Sequence, residues 1–236
     1  MTTESISLGN ISVTIGMPIG KPIPAQTVVS LYATAEQMGK MGLRCELAML
    51  QCGVINIARD TVLDEFLLNG TDKLFWIDSD MVWSPNEFLR FLALSTKFDV
   101  LVASYPVKVD GPMLFHINSE EMTMVPNEFG LMQMNGMGLG FSIMDRKVCE
   151  AVAATKPRVI DTSNREMAEV FRIDRTAKGY RRTEDMAFFA DIRELGFEVW
   201  CDPSIELGHV GDREWRGKLI DAFPRPSGLI LNLEES

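Results

Sequence analysis

Two carboxylates one residue apart, Asp78 and Asp80, close the apolar run Leu74-Phe75-Trp76-Ile77. On a strand, residues i and i+2 point to one side, and in the turn just past it they can converge on a single cation. In open α/β sheets the carboxyl end of a strand is where ligands bind. Hard oxygen ligands beside a diphosphate suit Mg²⁺ or Mn²⁺, which bridge phosphate oxygens and stabilise a leaving group. A bare Asp-x-Asp arises by chance roughly once in a chain of this composition. Its position is what gives it weight, because two acids ending a buried strand are costly unless a cation or donors compensate. The plainer alternative is a pair of acids capping a turn and a helix.

A second acidic pair, Glu184-Asp185, follows Thr183 at the start of a helix-like run with the apolar residues Met186, Phe188, Phe189, Ile192 and Leu195. Such acids in a first turn are ordinary helix-dipole chemistry. His209 lies in Leu207-Gly208-His209-Val210-Gly211, and its flanking glycines favour a backbone brought close to something. His116 alternates with apolar neighbours and reads as structural. Between Arg172 and Arg182 stand Arg175, Lys178 and Arg181, opposed only by Asp174. That cluster is either a solvated loop or one that meets phosphate.

The bulk composition frames these groups. The 236 residues are 46% hydrophobic and 24% charged, as in ordinary globular chains, and allow one sizeable core. A formal net charge of −10 argues against non-specific coating of nucleic acid, while leaving room for a local basic patch. No run approaches the length of a membrane span, and the N-terminus Met1-Thr2-Thr3-Glu4 lacks the basic and apolar parts of a secretory signal. Cys45, Cys52, Cys149 and Cys201 sit far apart in apolar runs, which points to reduced core residues in a cytoplasmic protein.

The elements that must position the candidate groups alternate in the first half, which predicts a mostly parallel sheet. Strands are expected at Ile11 to Gly16, Leu43 to Leu50, Lys73 to Ile77 and Phe98 to Tyr105, with a loop from Met17 to Pro24. Helices are expected at Ala25 to Lys40, ended by Gly42, and at Val54 to Leu68, stopped by Gly70. Ser84-Pro85-Asn86-Glu87 has the form of a capping box opening a helix to about Leu94. The second half shows short strand-like runs around Phe115, Met124 and Met132, then the small-residue segment Met137 to Phe141 and a helix from Arg146 to Ala154. Asp161 to Arg182 reads as a mobile loop. Thr183 should cap a helix from Glu184 to Leu195, followed by strands at Phe197 to Cys201 and Ile205 to Val210.

The order of these pieces resembles glycosyltransferases of the GT-A fold, especially short soluble bacterial and phage-type members. The matching segments are Ile57-Ala58-Arg59-Asp60, Phe75 to Met81, Ser104-Tyr105-Pro106-Val107-Lys108, Gly138-Leu139-Gly140-Phe141, Thr183 to Phe189, and Gly196 to Pro203 leading to His209-Val210-Gly211. The resemblance covers about residues 11 to 211. The resemblance implies a single α/β domain with a Rossmann-like, mostly parallel mixed sheet flanked by helices and a smaller antiparallel acceptor-side subsheet. Residues 11–110 would form the nucleotide-sugar half, 111–211 the acceptor half and 212–236 a tail.

It also implies roles. Asp80 and His209 would hold Mn²⁺ or Mg²⁺, with Asp78 contacting the metal, a metal-bound water or the donor ribose, beside Ser79. Arg59 would lie near the donor diphosphate and Pro18 near the base. Asp185, with Glu184, would activate the acceptor, and Gly138, Gly140 and Phe141 would shape the acceptor floor. The reaction would be transfer from a nucleoside-diphosphate sugar to a hydroxyl of a saccharide, a small molecule or a hydroxylated nucleobase, with inversion favoured over retention. Two rivals are a GT-A-like nucleotidyltransferase, for which Met17 to Pro22 has too few glycines, and a non-catalytic nucleotide-sugar-binding module.

Overall fold

A computed structural model of the chain describes residues 8–9, 11–115, 117, 125–161 and 164–223. His116 and the expected run at Met124 lie outside the described residues, as does most of the tail. The elements in chain order are β1 (Val13–Ile19), α1 (Ala25–Lys40), β2 (Cys45–Gln51), α2 (Ile55–Asn69), β3 (Lys73–Ile77), β4 (Met81–Val82), α3 (Pro85–Leu94) and β5 (Val100–Val102). They continue as β6 (Met132–Met134), β7 (Phe141–Asp145), α4 (Arg146–Ala154), β8 (Arg158–Ile160), β9 (Glu166–Ala168), β10 (Asp174–Arg175) and β11 (Arg181–Arg182). Last come α5 (Glu184–Glu194), β12 (Val199–Cys201), β13 (Glu206–Val210), β14 (Glu214–Lys218) and a short 3₁₀ turn at Leu219–Ala222.

A seven-stranded sheet in the order β2-β1-β3-β7-β5-β12-β6 forms the centre. Strands β2, β1, β3, β5 and β12 run one way, and β7 and β6 oppose them. This is the mixed, mostly parallel sheet of a GT-A fold. Alternation along β3 divides the core: Leu74 and Trp76 pack with α2, α4 and α5, while Phe75 and Ile77 pack with α3 on the other face. Phe75 stacks on Phe88 at 4.5 Å between centroids and meets Phe141 edge-on at 4.8 Å. The capping box is formed as read, with Ser84 N–H donating to Glu87 Oε2 at 2.7 Å.

Four expectations need correction. The first strand runs on through Met17 and Pro18, which were assigned to the loop; beyond Gly16 it pairs with β2 alone, where a residue without an N–H is tolerated. β7 was not foreseen as a strand, yet it sits at the sheet centre between β3 and β5. Its register is pinned by Lys73, which faces Asp145 across the ladder and donates to Asp145 Oδ2 and Ser95 O, both at 2.7 Å. The described part of Asp161 to Arg182 is not a plain loop: β9 pairs with β8, which precedes the stretch, and β10 pairs with β11 inside it. Residues 214–218 of the presumed tail form β14, an edge of the three-stranded sheet β14-β13-β4.

Smaller departures are local. Thr183 precedes α5 without a side-chain capping bond. The four cysteines are free thiols, of which Cys149 and Cys201 are buried while Cys45 and Cys52 are partly exposed. Among the described residues no helix is long and apolar enough to cross a membrane.

Candidate active site

The turn after β3 positions both acids. Met81 N–H donates to Asp78 O at 3.1 Å, closing a tight turn over Asp78-Ser79-Asp80-Met81, and Asp78 N–H is held by Gly140 O at 3.0 Å. The chain then enters β4, which pairs antiparallel with β13 so that Met81 faces His209. Val210 N–H donates to Asp80 O at 2.8 Å. Backbone register therefore carries a residue from the middle of the chain to one near its end.

The result is a carboxylate–imidazole pair. His209 Nε2 lies 3.4 Å from Asp80 Oδ1, and His209 Nδ1 lies 2.9 Å from Pro106 O. A carbonyl only accepts, so Nδ1 carries a proton, and Nε2 is the nitrogen turned towards Asp80. Tyr105 meets the imidazole edge-on at 5.0 Å. The other Asp80 oxygen, Oδ2, accepts from Lys108 Nζ. Burial by itself pushes the Asp80 carboxyl up; the hydrogen bonds from His209 and Lys108 outweigh it and hold the group at about 2.

The second acid diverges from the first. Asp78 Oδ1 faces Arg59 Nη2 at 3.5 Å, not the Asp80–His209 pair. Instead of sharing one partner, the two acids have different ones: Asp78 the buried Arg59, Asp80 the Lys108 ammonium and His209. Arg59, only 3% exposed, also meets Glu184 Oε1 at 3.0 Å and Asp185 Oδ1. Its guanidinium stands 5.8 Å from the Phe171 ring centroid. Asp185 Oδ2 accepts from Leu139 N–H at 3.3 Å, while the buried Oδ1 has the Arg59 ion pair and no hydrogen bond among the described residues.

These groups share one cleft of about 890 Å³. Pro18, Arg59, Asp78, Ser79, Asp80, Glu184, Asp185 and His209 all line it. Gly138, Gly140 and Phe141 do not; they lie under the floor. A Cβ at Gly140 would stand 2.7 Å from Asp78 Oδ2 and 2.8 Å from Tyr105 Cε1, so the glycine exists to let those groups pack down. Phe141 is fully buried among Phe75, Phe91 and Trp83 and is a core residue. Of the basic cluster, Arg172 pairs with Asp191 at 2.6 and 2.9 Å and Arg182 with Asp174 at 2.6 and 2.7 Å, leaving Arg175, Lys178 and Arg181 exposed on their hairpin.

Among the lining residues that the sequence did not mark as site residues are Tyr105, Lys108 and Trp215. Tyr105 and Lys108 lay inside a quoted segment but without a role, and Trp215 lay in the presumed tail. Trp215 faces His209 across the β13–β14 ladder. The only signal for it was a tryptophan in a polar stretch soon after Gly211.

Charge decides what the cleft accepts. Its lining holds five carboxylates (Asp78, Asp80, Glu184, Asp185 and Asp212) against three cations, Lys21, Arg59 and Lys108. An anionic ligand entering alone would be repelled; one accompanied by a divalent cation would not. Among the described residues no group of three or more His, Cys, Asp or Glu side chains is arranged to hold a metal. The Asp80–His209 pair nevertheless fits a cation that takes its other ligands from phosphate. The 3.4 Å gap suits two donors each about 2.1 Å from a shared ion.

No protein-family model and no curated protein matches the sequence. Solved structures do resemble the fold. The chain is similar to A197 from STIV, with a TM-score of 0.54, 18% identity, and coverage of 89% of this chain and 91% of that one. It is also similar to GalNAc-T7, solved with UDP, GalNAc and Mn²⁺, with a TM-score of 0.54, 9% identity, and coverage of 86% of this chain and 44% of that one. At these identities the likeness is one of fold.

Proposed function

We propose that this chain is a metal-dependent glycosyltransferase that moves a sugar from a nucleoside-diphosphate donor to an acceptor hydroxyl. The observation that carries the reading is the Asp80–His209 pair, its imidazole oriented by Pro106 O, in a cleft whose net negative lining favours a diphosphate only together with a divalent cation. The structural likeness to GalNAc-T7, whose structure contains UDP and Mn²⁺, supports the same chemistry.

In this reading Pro18, Pro22, Pro24 and Ile55 border the base, and Asp78 and Ser79 face the ribose or the bound waters of the metal. Asp80 Oδ1 and His209 Nε2 hold Mn²⁺ or Mg²⁺, which when bound neutralises charge on the departing diphosphate. The acceptor hydroxyl attacks the anomeric carbon as its bond to the phosphate oxygen breaks. The hydroxyl proton passes to a carboxylate. Glu184 is a better base than Asp185: Asp185 has both oxygens committed, to Arg59 and Leu139 N–H, while Glu184 commits only Oε1. Arg59 then acts from below, holding three carboxylates in place rather than touching the diphosphate.

A panel of nucleotide sugars assayed for release of nucleoside diphosphate tests the class. One donor should be turned over with Mn²⁺ and not with chelator, and Asp80→Ala should be silent. Equal release in chelator, or wild-type release by Asp80→Ala, would refute the assignment. Inverted anomeric configuration in the product, lost with Glu184→Gln and kept with Asp185→Asn, would identify the base.

A further inference from the structure

Asp80 has two oxygens, and they meet two different partners. Oδ1 faces His209 Nε2, whereas Oδ2 accepts from the ammonium of Lys108. We propose that Lys108 is a second, protein-borne cation of the diphosphate site, one that shares Asp80 with the metal and donates to the phosphate oxygens of the leaving group. This rests on the glycosyltransferase reading and adds a residue to it.

The lysine is built into the cleft rather than draped over it. Its side chain is 28% exposed and lines the cleft wall with Asp80, His209 and Trp215. The backbone around it is fixed, with Val107 N–H donating to Leu114 O at 2.8 Å and Trp215 Nε1–H to Val109 O at 3.0 Å. Gly211 makes room for the stem. A Cβ there would stand 3.1 Å from Lys108 Cδ and 3.0 Å from Trp215 Cζ3, tight contacts that the bare glycine avoids.

An ammonium has three N–H donors. Asp80 takes one, and the open cleft leaves the others for a ligand. A cation held by His209 and Asp80 Oδ1 does not require Oδ2, so the two positive centres can sit side by side on one carboxylate. That doubles the means of stabilising a departing diphosphate in a cleft otherwise rich in carboxylates, where a single cation would be partly cancelled. Of the other two cations in the lining, Arg59 is spent on three carboxylates and Lys21 stands at the exposed rim.

The test uses inorganic pyrophosphate, the moiety common to all such donors, titrated by calorimetry into wild type, Lys108→Met and Lys108→Arg with saturating Mg²⁺. Mn²⁺ binding without any phosphate is measured in parallel by electron paramagnetic resonance. Lys108→Met should weaken pyrophosphate binding about tenfold or more, the scale of a lost hydrogen bond between charged groups. Lys108→Arg should recover most of it, and Mn²⁺ affinity in Lys108→Met should be unchanged or tighter. Unchanged pyrophosphate binding in Lys108→Met overturns the proposal. So does a parallel fall in Mn²⁺ affinity, since the lysine would then merely prop Asp80. If instead no sugar nucleotide is turned over while pyrophosphate binding still depends on Lys108, the glycosyltransferase reading fails and the anion site stands.

Discussion

The two sides of the cleft hold their charges by different means. On one side Asp80 meets His209 because β4 and β13 are neighbours in a ladder, with Val210 N–H on Asp80 O and Met81 opposite His209. On the other, Arg59 gathers Asp78, Glu184 and Asp185 from segments far apart in sequence, chiefly through side-chain ion pairs. The first arrangement would survive the loss of either side chain, because the backbone makes it. The second would not, because the charges themselves hold those segments together. Chemistry and stability should therefore separate on the ladder side and coincide on the arginine side.

The largest effect that would sharpen this contrast is catalytic. Asp80→Ala or His209→Ala should cut turnover on the order of a thousandfold, the loss typical when an electrostatic stabiliser of the leaving group is removed. Unfolding free energy should change by less than about 1 kcal/mol, since Asp80 is partly solvated and neither side chain makes the ladder. Thermal denaturation together with the donor assay measures both. A melting temperature lowered as far as that of an Arg59 variant would break the contrast.

Next comes Arg59→Met, which leaves three carboxylates facing one another around an uncharged side chain. Removing one partner of a buried charge cluster costs about 3–5 kcal/mol. Urea unfolding should show that loss, and turnover should fall with it. A cycle with Asp185→Asn should be non-additive, the double variant being more stable than the sum of the single losses implies, because the asparagine removes one of the stranded charges. Additive losses would mean that the arginine is held by its packing against Phe171 rather than by the acids.

The same division explains what could be read from the sequence. Features set by local physics were legible: the apolar run Lys73 to Ile77, α1 with its ends, and the Ser84–Glu87 capping box all appear where the residue types place them. Asp78, Asp80, Glu184 and Asp185 line the cleft along with Arg59 and His209, whereas Gly138, Gly140 and Phe141 do not. What was illegible depends on partners distant in the chain. β7 has no local strand signal distinct from the small-residue segment before it; its identity comes from pairing with β3 and β5. The polar residues of Asp174 to Arg182 look like a loop until Asp174 is seen across from Arg182. That Asp78 pairs with Arg59 while Asp80 pairs with Lys108 and His209 depends on distant partners that the pattern Asp-x-Asp does not specify.

A third prediction probes the floor between the two sides. Gly140→Ala would thrust a methyl group into Asp78 Oδ2, which can swing aside, and into the buried Tyr105 ring, which cannot retreat easily. Overpacking of this kind costs about 1–3 kcal/mol. Because Asp78 belongs to the arginine network and Tyr105 touches His209, this one variant should impair stability and turnover together. Wild-type stability with wild-type turnover would show that the floor is softer than its packing suggests.

The smallest expected effect concerns Asp60, the neighbour of Arg59 on α2, and it tests whether charge on that side always stabilises. Asp60 is 7% exposed, and its Oδ1 accepts from Val170 N–H at 2.8 Å and Phe171 N–H at 2.9 Å. Burial pushes the carboxyl up to about 6 despite those two bonds, with Glu169 adding to the rise. A carboxyl whose pKa is higher folded than unfolded favours the folded state most when protonated. Its contribution is therefore full below about pH 4 and is lost as pH rises through about 6. Asp60→Asn keeps the Oδ1 acceptor for both N–H groups and removes the buried charge. It should be more stable than wild type at pH 7 by about 1 kcal/mol, and the difference should shrink as pH falls from 6 to 4. Urea midpoints across that range measure it. If Asp60→Asn were instead less stable at pH 7 and level with wild type at pH 4, the ionised form would be the one the fold prefers, and the arginine side would be a network in which every carboxylate, including this one, is held as an anion.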